Sequence, residues 1–170
     1  MAPVLHLRKE LLNPPVERWA TNSLIRTIVL PDDIEGWLQL RKRATAGLTP
    51  PAREWTGAEF MTQMVDRPWW RDEHTWLAVD AASSRGAIIG AVTLALRTGT
   101  TASVSTVHWL LVDPAWRRRG VGRMLMSRLE CAAWVAGWRE IELETHAGWS
   151  EAIAFYQSMG YAPVRERSRR

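Results

Sequence analysis

At 170 residues the chain has room for one domain with a substantial core. Its apolar content of 46% is that of a globular protein and excludes wholesale disorder. A formal charge of +4 and a pI near 10 point to an anionic partner, and all but two of the basic residues, Lys9 and Lys42, are arginines. The longest apolar run, Gly86 to Leu96, is too short to span a bilayer, so no membrane partner is expected. Arg8, Lys9 and Glu10 interrupt the pattern a signal peptide would need. Cys131 is the one cysteine and cannot close an internal disulfide, which fits a cytoplasmic location. Its apolar helical surroundings make it a packing residue.

In chain order, residues 1–22 carry Pro3, Pro14 and Pro15 and read as an N-terminal extension with one short helix around Leu5 to Leu12. Ser23 to Leu30 is rich in β-branched residues and reads as a strand. Pro31, Asp32 and Asp33 start a helix that carries Ile34, Trp37, Leu38 and Arg41 at helical spacing. Gly47, Pro50 and Pro51 end it. Thr56, with Glu59 three positions on, forms a capping box for a second helix through Phe60, Met61 and Met64. Three strands follow: His74 to Asp80, Gly86 to Arg97 and Ser103 to Val112. Their short glycine-containing connections predict antiparallel hairpins. A helix from Gly120 to about Ala136 puts Val121, Met124, Leu125, Leu129, Ala132 and Ala136 on one face. Glu140 to Thr145 alternates as a strand, parallel to 103–112 because the crossover is long. Ser150 caps a last helix that Gly160 ends, and Tyr161 to Arg165 closes the domain as a final strand. Residues 23–165 form this single domain, and 166–170 are a solvated basic tail.

The most informative segment joins the third of those strands to the helix after it. Pro114 ends the apolar strand, and Arg117, Arg118, Arg119, Gly120, Val121, Gly122 and Arg123 follow. The first N–H groups of a helix have no intrahelical partner and carry partial positive charge. Gly120 and Gly122 allow a phosphate close to the backbone, and the arginines add fork-shaped donors. This layout predicts a cradle for a pyrophosphate-bearing ligand.

At these residues the chain resembles the GNAT superfamily of acetyl-CoA-dependent N-acetyltransferases. The resemblance rests on Arg117 to Gly122 after Leu110 to Pro114. A second match runs from Ala152 through Tyr156 to Gly160 and Tyr161. It covers roughly 103–162, and the first hundred residues match in layout alone. It implies an α/β fold (a mixed α+β sheet) in the order β-α-α-β-β-β-α-β-α-β, splayed between the strands at 103–112 and 139–145. Acetyl-CoA is then a co-substrate, with no metal. The resemblance gives it to Leu110, Leu111, Val112, Arg117, Arg118, Arg119, Gly120, Val121, Gly122, Arg123 and Tyr156. At Trp149 many relatives carry an asparagine; this indole donates one hydrogen bond and accepts none.

Acetyl transfer to an amine by direct attack in a ternary complex needs a base, a site for the developing oxyanion and an acid. The resemblance gives Tyr156 the acid role, which suits a phenol protonated at neutral pH. Glu144, twelve residues earlier, matches the glutamate proposed as base in the ribosomal-protein acetyltransferase branch, and burial there would tune it. His108 is the rival base, on a strand face shared with Thr106 and Leu110; base catalysis through ordered water is a third route. The backbone of Leu110 to Val112 would meet the oxyanion. Trp37, Trp55, Trp69 and Trp70 are expected, with Glu144, in the acceptor wall, where indole faces suit a bulky or cationic amine.

The acceptor is a small-molecule amine or a protein N-terminus, and the chain a monomer or homodimer. A different acyl-CoA is the alternative co-substrate, since the cradle reads the pyrophosphate and not the acyl group. A nucleic-acid-binding protein, suggested by the pI and the arginine tail, lacks a recognisable base-reading element.

Overall fold

A computed structural model of the chain describes residues 3–98 and 103–164. The basic tail and Arg165 lie outside these residues. Among the described residues seven strands make one sheet: β1 (Val4–Glu10), β2 (Ser23–Thr27), β3 (Thr75–Asp80), β4 (Ile88–Thr98), β5 (Ser103–Val112), β6 (Glu140–His146) and β7 (Ala162–Pro163). Their spatial order is β2-β3-β4-β5-β6-β1-β7. The helices that cover the sheet are α1 (Ile34–Ala44), α2 (Gly57–Phe60), which continues as a π-helical turn at Met61–Val65, α3 (Val121–Val135) and α4 (Ser150–Ser158). The chain is thus the mixed α/β sheet expected, with a further strand ahead of it.

Each helical layer buries its own core. On one face α3 and α4 pack Met124, Leu125, Leu129 and Tyr156 against Leu7, Leu94, Val107, Ile141 and Leu143 of the sheet. On the other, α1 and α2 pack Trp37, Leu40, Phe60 and Met64 against Leu77, Ala91 and Leu111. Residues 75–79 are buried on both faces, as the apolar strands of a two-layered sheet must be. Thr56 forms the expected capping box: its N–H donates to Glu59 Oε2 at 2.7 Å, and its Oγ1 accepts from the Glu59 N–H at 3.3 Å.

Three expectations are corrected. The helix expected around Leu5 to Leu12 is strand β1, set antiparallel between β6 and β7. Leu7 faces the core and His6 and Arg8 face solvent, a period of two that overrides the short helical spacing. Ser150 does not cap α4; it begins the helix, with Trp149 in the cap position. The last strand is two residues long, because it pairs only with Leu7 and Arg8.

Residues 11–22 run over α3, which is therefore buried round a wider arc than its one apolar face. The Arg18 N–H donates to Ser127 Oγ at 2.9 Å, and Cys131 Sγ lies 3.3 Å from the Pro15 carbonyl. Glu130, nearly fully buried on α3, accepts from Lys9 Nζ at 2.9 and 2.8 Å and from the Tyr161 hydroxyl at 3.1 Å. One carboxylate so joins β1, α3 and the chain beside β7.

Candidate active site

The β5–β6 pair is the only parallel one among the described strands, and it is short. Its register holds Ser105 against Ile141 and Thr106 against Glu142. Beyond Thr106 the strands part, as the splay predicts, and the β6-facing edge of Leu110 to Val112 has no sheet partner among the described residues. On its other side β5 carries an irregularity: Ala91 pairs with Leu111 and Thr93 with His108, so one extra β5 residue is accommodated. Trp109 absorbs it with φ +50, the left-handed region. The extra residue reverses the facing of the rest of the strand. Leu110 and Val112 pack toward α3, whereas Trp109 and Leu111 pack toward α1 and α2. His108 therefore does not share a face with Leu110, as strict alternation had placed it.

At the start of α3 the chain turns through Arg118 (φ +63) and Gly120 (φ +84). Glycine suits the second of these because a β-carbon there is strained whatever the space. No side chain caps α3, and its first intrahelical bond runs from the Met124 N–H to the Gly120 carbonyl. The N–H groups of Val121, Gly122 and Arg123 thus belong to the unpaired first turn. Arg118 and Arg119 are exposed, and Arg119 lies over the Trp116 ring at 5.2 Å. The other two arginines are held by the protein. Arg117 donates to the Ala44 carbonyl at 2.7 Å, closing the end of α1, and Arg123 donates to Ser158 Oγ at 2.9 Å and contacts Met159 Sδ at 3.2 Å. Gly122 serves packing too: a β-carbon there would come within 3.2 Å of the Phe155 ring.

Across the splay, Trp149 and His146 lie with ring centres 5.6 Å apart. The Trp149 Nε1 and His146 Nε2 atoms are both buried without a hydrogen-bond partner among the described residues. His146 Nδ1 accepts from the Gly148 N–H at 3.0 Å. Tyr156, on α4, is buried against Phe155 and Tyr161, and burial pushes its phenol well above the ordinary tyrosine range. It stays protonated at any physiological pH.

Toward α1 and α2 opens a cleft of about 410 Å³, lined by Trp55, Gln63, Arg67, Trp69, His108 and Trp109. His108 meets Trp69 edge-on at 4.8 Å. Of the four tryptophans expected in the acceptor wall, Trp55 and Trp69 line this cleft. Trp37 is wholly buried against Phe60, and Trp70 is buried with its indole donating to Asp72 Oδ1 at 2.6 Å. Glu144 does not line the cleft. Its side chain is 64% exposed and sits 3.5 Å from His6 on β1. The burial expected to tune it is absent: among the described residues α1 and α2 pack against Leu77, Ala91 and Leu111 of β3, β4 and β5.

Sequence reading missed Gln63, Arg67 and Trp109 as cleft residues, and also Arg41. The Arg41 guanidinium is buried between two indoles, 4.5 Å from the Trp55 ring centre and 4.6 Å from Trp109. Burial lowers its hold on its proton, but a guanidinium keeps its charge. The available signal was Arg41's place on the apolar stripe of α1, where a charged residue is out of character.

These features define an enzyme fold with a parted parallel pair, a helix-start anion cradle and a separate aromatic cleft. The acetyltransferase (GNAT) domain family matches residues 71–163, more than half of the chain, and the chain belongs to that family. Among its relatives, an uncharacterised Mycobacterium leprae protein is 43% identical over 63 residues, 37% of this chain and 17% of its own. The ribosomal protein bS18-alanine N-acetyltransferase of Salmonella typhimurium is 39% identical over 57 residues, 34% of this chain and 38% of that enzyme. Both matches therefore span well under half of the relative. In structure the fold superposes on a GCN5-related N-acetyltransferase from Sphaerobacter thermophilus with a TM-score of 0.74 and 20% identity, over 95% of this chain and 48% of that one. No helix among the described residues is long and apolar enough to cross a membrane.

Proposed function

We propose that this chain transfers an acetyl group from acetyl-CoA to a primary amine by direct attack in a ternary complex. The observation that carries this is the parting of β5 from β6 beside an uncapped helix start with exposed arginines. The open β5 edge offers backbone N–H and C=O groups of Leu110 to Val112 to the amides of a pantetheine arm, in the manner of an added strand. The first-turn N–H groups of α3, with Arg118 and Arg119, suit a pyrophosphate. Trp149 Nε1 is a buried donor that an amide carbonyl of the arm would satisfy. When bound, the thioester supplies the activated acetyl carbon.

The chain's own groups then divide the work. The amine enters from the aromatic cleft and loses its proton to His108, which lines that cleft. Glu144, outside the cleft and exposed, is the weaker candidate for this step. Backbone N–H groups near Leu110 donate to the carbonyl oxygen as charge builds on it. Tyr156 donates its proton to the departing thiolate; its buried phenol remains neutral and so remains a donor. The acceptor is a small amine or a protein N-terminus, the latter suggested by the bS18-alanine enzyme.

Thiol release from acetyl-CoA, measured against an amine panel, tests this assignment. Tyr156→Phe should lower kcat about 100-fold, the ordinary weight of a positioned acid, with the KM for acetyl-CoA little changed. His108→Ala should lower kcat more than Glu144→Gln does. Full kcat in Tyr156→Phe removes the acid assignment, and a larger loss in Glu144→Gln reverses the choice of base.

A further inference from the structure

Building on the acetyl-transfer assignment, we propose that the acceptor is a small aromatic primary amine bearing a carboxylate, of the free α-amino acid type. The cleft beside His108 has walls for the ring and charge for the acid, and its electrostatics oppose a cationic ligand.

Four of its six lining side chains are aromatic, Trp55, Trp69, Trp109 and His108, and a volume of about 410 Å³ is that of a small-molecule site. Indole faces often receive cations. Two of these rings, however, already carry one: the Arg41 guanidinium is held between Trp55 and Trp109. A second cation brought to either ring would meet a fixed positive charge within a few ångströms, in a partly desolvated setting where like charges repel strongly.

The lining itself adds another positive group, Arg67, and contains no Asp or Glu. The neighbouring acids are committed or turned away. Glu54 pairs with Lys42 at 3.1 Å, and Glu59 pairs with Arg53 and accepts from the Thr56 N–H. Asp66 sits exposed at the end of the π-helical turn and is not part of the lining. Arg67 uses Nη2 on Gln63 Oε1 at 3.0 Å, which orients the guanidinium and leaves further N–H donors. A carboxylate accepts two such donors side by side, the geometry a guanidinium fork favours.

The same charge distribution assists the chemistry. An amine must reach the acetyl carbon unprotonated. The Arg41 charge held against Trp55 and Trp109 disfavours the ammonium form of an amine at these rings, so the free base is easier to reach. A carboxylate on the acceptor offsets the repulsion and restores binding. A peptide N-terminus has exchanged this carboxylate for an amide, and an aliphatic polyamine lacks both the ring and the acid.

Turnover of phenylalanine, phenylalaninamide and phenethylamine with acetyl-CoA separates these classes. The expected kcat/KM for the acid exceeds that for the amide and the decarboxylated amine by about 10- to 100-fold, the weight of a charge-assisted hydrogen bond. Arg67→Gln should shrink the acid-to-amide ratio to near unity, through KM rather than kcat, and Arg67→Lys should restore part of it. Calorimetric titration of the same three compounds into the chain, without turnover, should rank them in the same order.

Equal or better use of the amide, an aliphatic diamine preferred to all three, or an unchanged ratio in Arg67→Gln overturns the proposal. An affinity for the acid that is no greater than for phenethylamine overturns it even if no amine is acetylated. Failure of the parent assignment has a separate signature: coenzyme A itself gives no heat of binding.

Discussion

Removing the ammonium of Lys9 tests whether β1 is a working part of the domain. Lys9→Met leaves the Glu130 carboxylate buried on α3 with the Tyr161 hydroxyl as its remaining side-chain donor. Breaking a buried ion pair by deleting one partner costs about 3–5 kcal/mol. The Lys9 side chain keeps 22% of its exposure against 6% for Glu130, so some water already reaches the pair, and Tyr161 still donates. A loss of ~2–3 kcal/mol is therefore expected. For a domain of this size that lowers Tm by roughly 5–10 °C. Urea unfolding followed by circular dichroism measures it, with an unchanged m-value as the sign of an unchanged native state. The double variant Lys9→Met with Glu130→Met removes both charges and should recover to within about 1–2 kcal/mol of the parent, since apolar replacement of a whole buried pair is often neutral. A loss below about 1 kcal/mol in Lys9→Met, or a double variant that loses the sum of the singles, refutes the reasoning.

The chain has two tyrosines, Tyr156 and Tyr161, both buried and both pushed above the ordinary range by burial, Tyr161 also by Glu130. Their neutral forms are favoured in the folded state, so this stability is fully present below the ordinary phenol value of about 10 and is lost as pH rises past it. Absorbance at 295 nm should accordingly rise in one step with loss of circular dichroism; tyrosinate appearing near pH ~10 with the fold intact would contradict this. Gly120→Ala places a β-carbon at φ +84 with no atom nearer than 3.7 Å, so strain alone should cost about 1–2 kcal/mol. Thermal unfolding reads that cost, and a Tm unchanged from the parent means the turn does not need glycine.

Much of this was legible in the chain. The capping box at Thr56, the hairpins of β3 to β5 and the glycine turn into α3 each rest on local chemistry, which spacing reveals. The parting of β5 and β6 came through the family resemblance. What stayed hidden depends on distant partners. Val4 to Glu10 holds a two-residue alternation, but so short a run with Leu11 and Leu12 beside it satisfies a helical spacing as well. Only the slot between β6 and β7 decides. The extra residue at Trp109 leaves no mark in composition, yet it changes which side chains look into the cleft. Arg117 and Arg123 looked like phosphate ligands beside Arg118 and Arg119. The first also closes α1, and the second also ties down the end of α4, bonds that no spacing announces. Glu144 showed its alternation correctly, but no sequence pattern tells that its side chain stays exposed there.

The position of β1 has a consequence for the ribosome-bound chain. Arg8 and its partner Glu142 stand 134 positions apart, so β1 can take its place only after β6 has been synthesised. Until then its row of amides and carbonyls is open to any other extended segment, and the sheet beyond β6 is left with an open border. Closing so long a loop is a slow step, and a nascent chain in that condition is exposed to mispairing. A bulky tag fused ahead of Val4 would have to accompany this late insertion, whereas β2 to β5 are assembled without it.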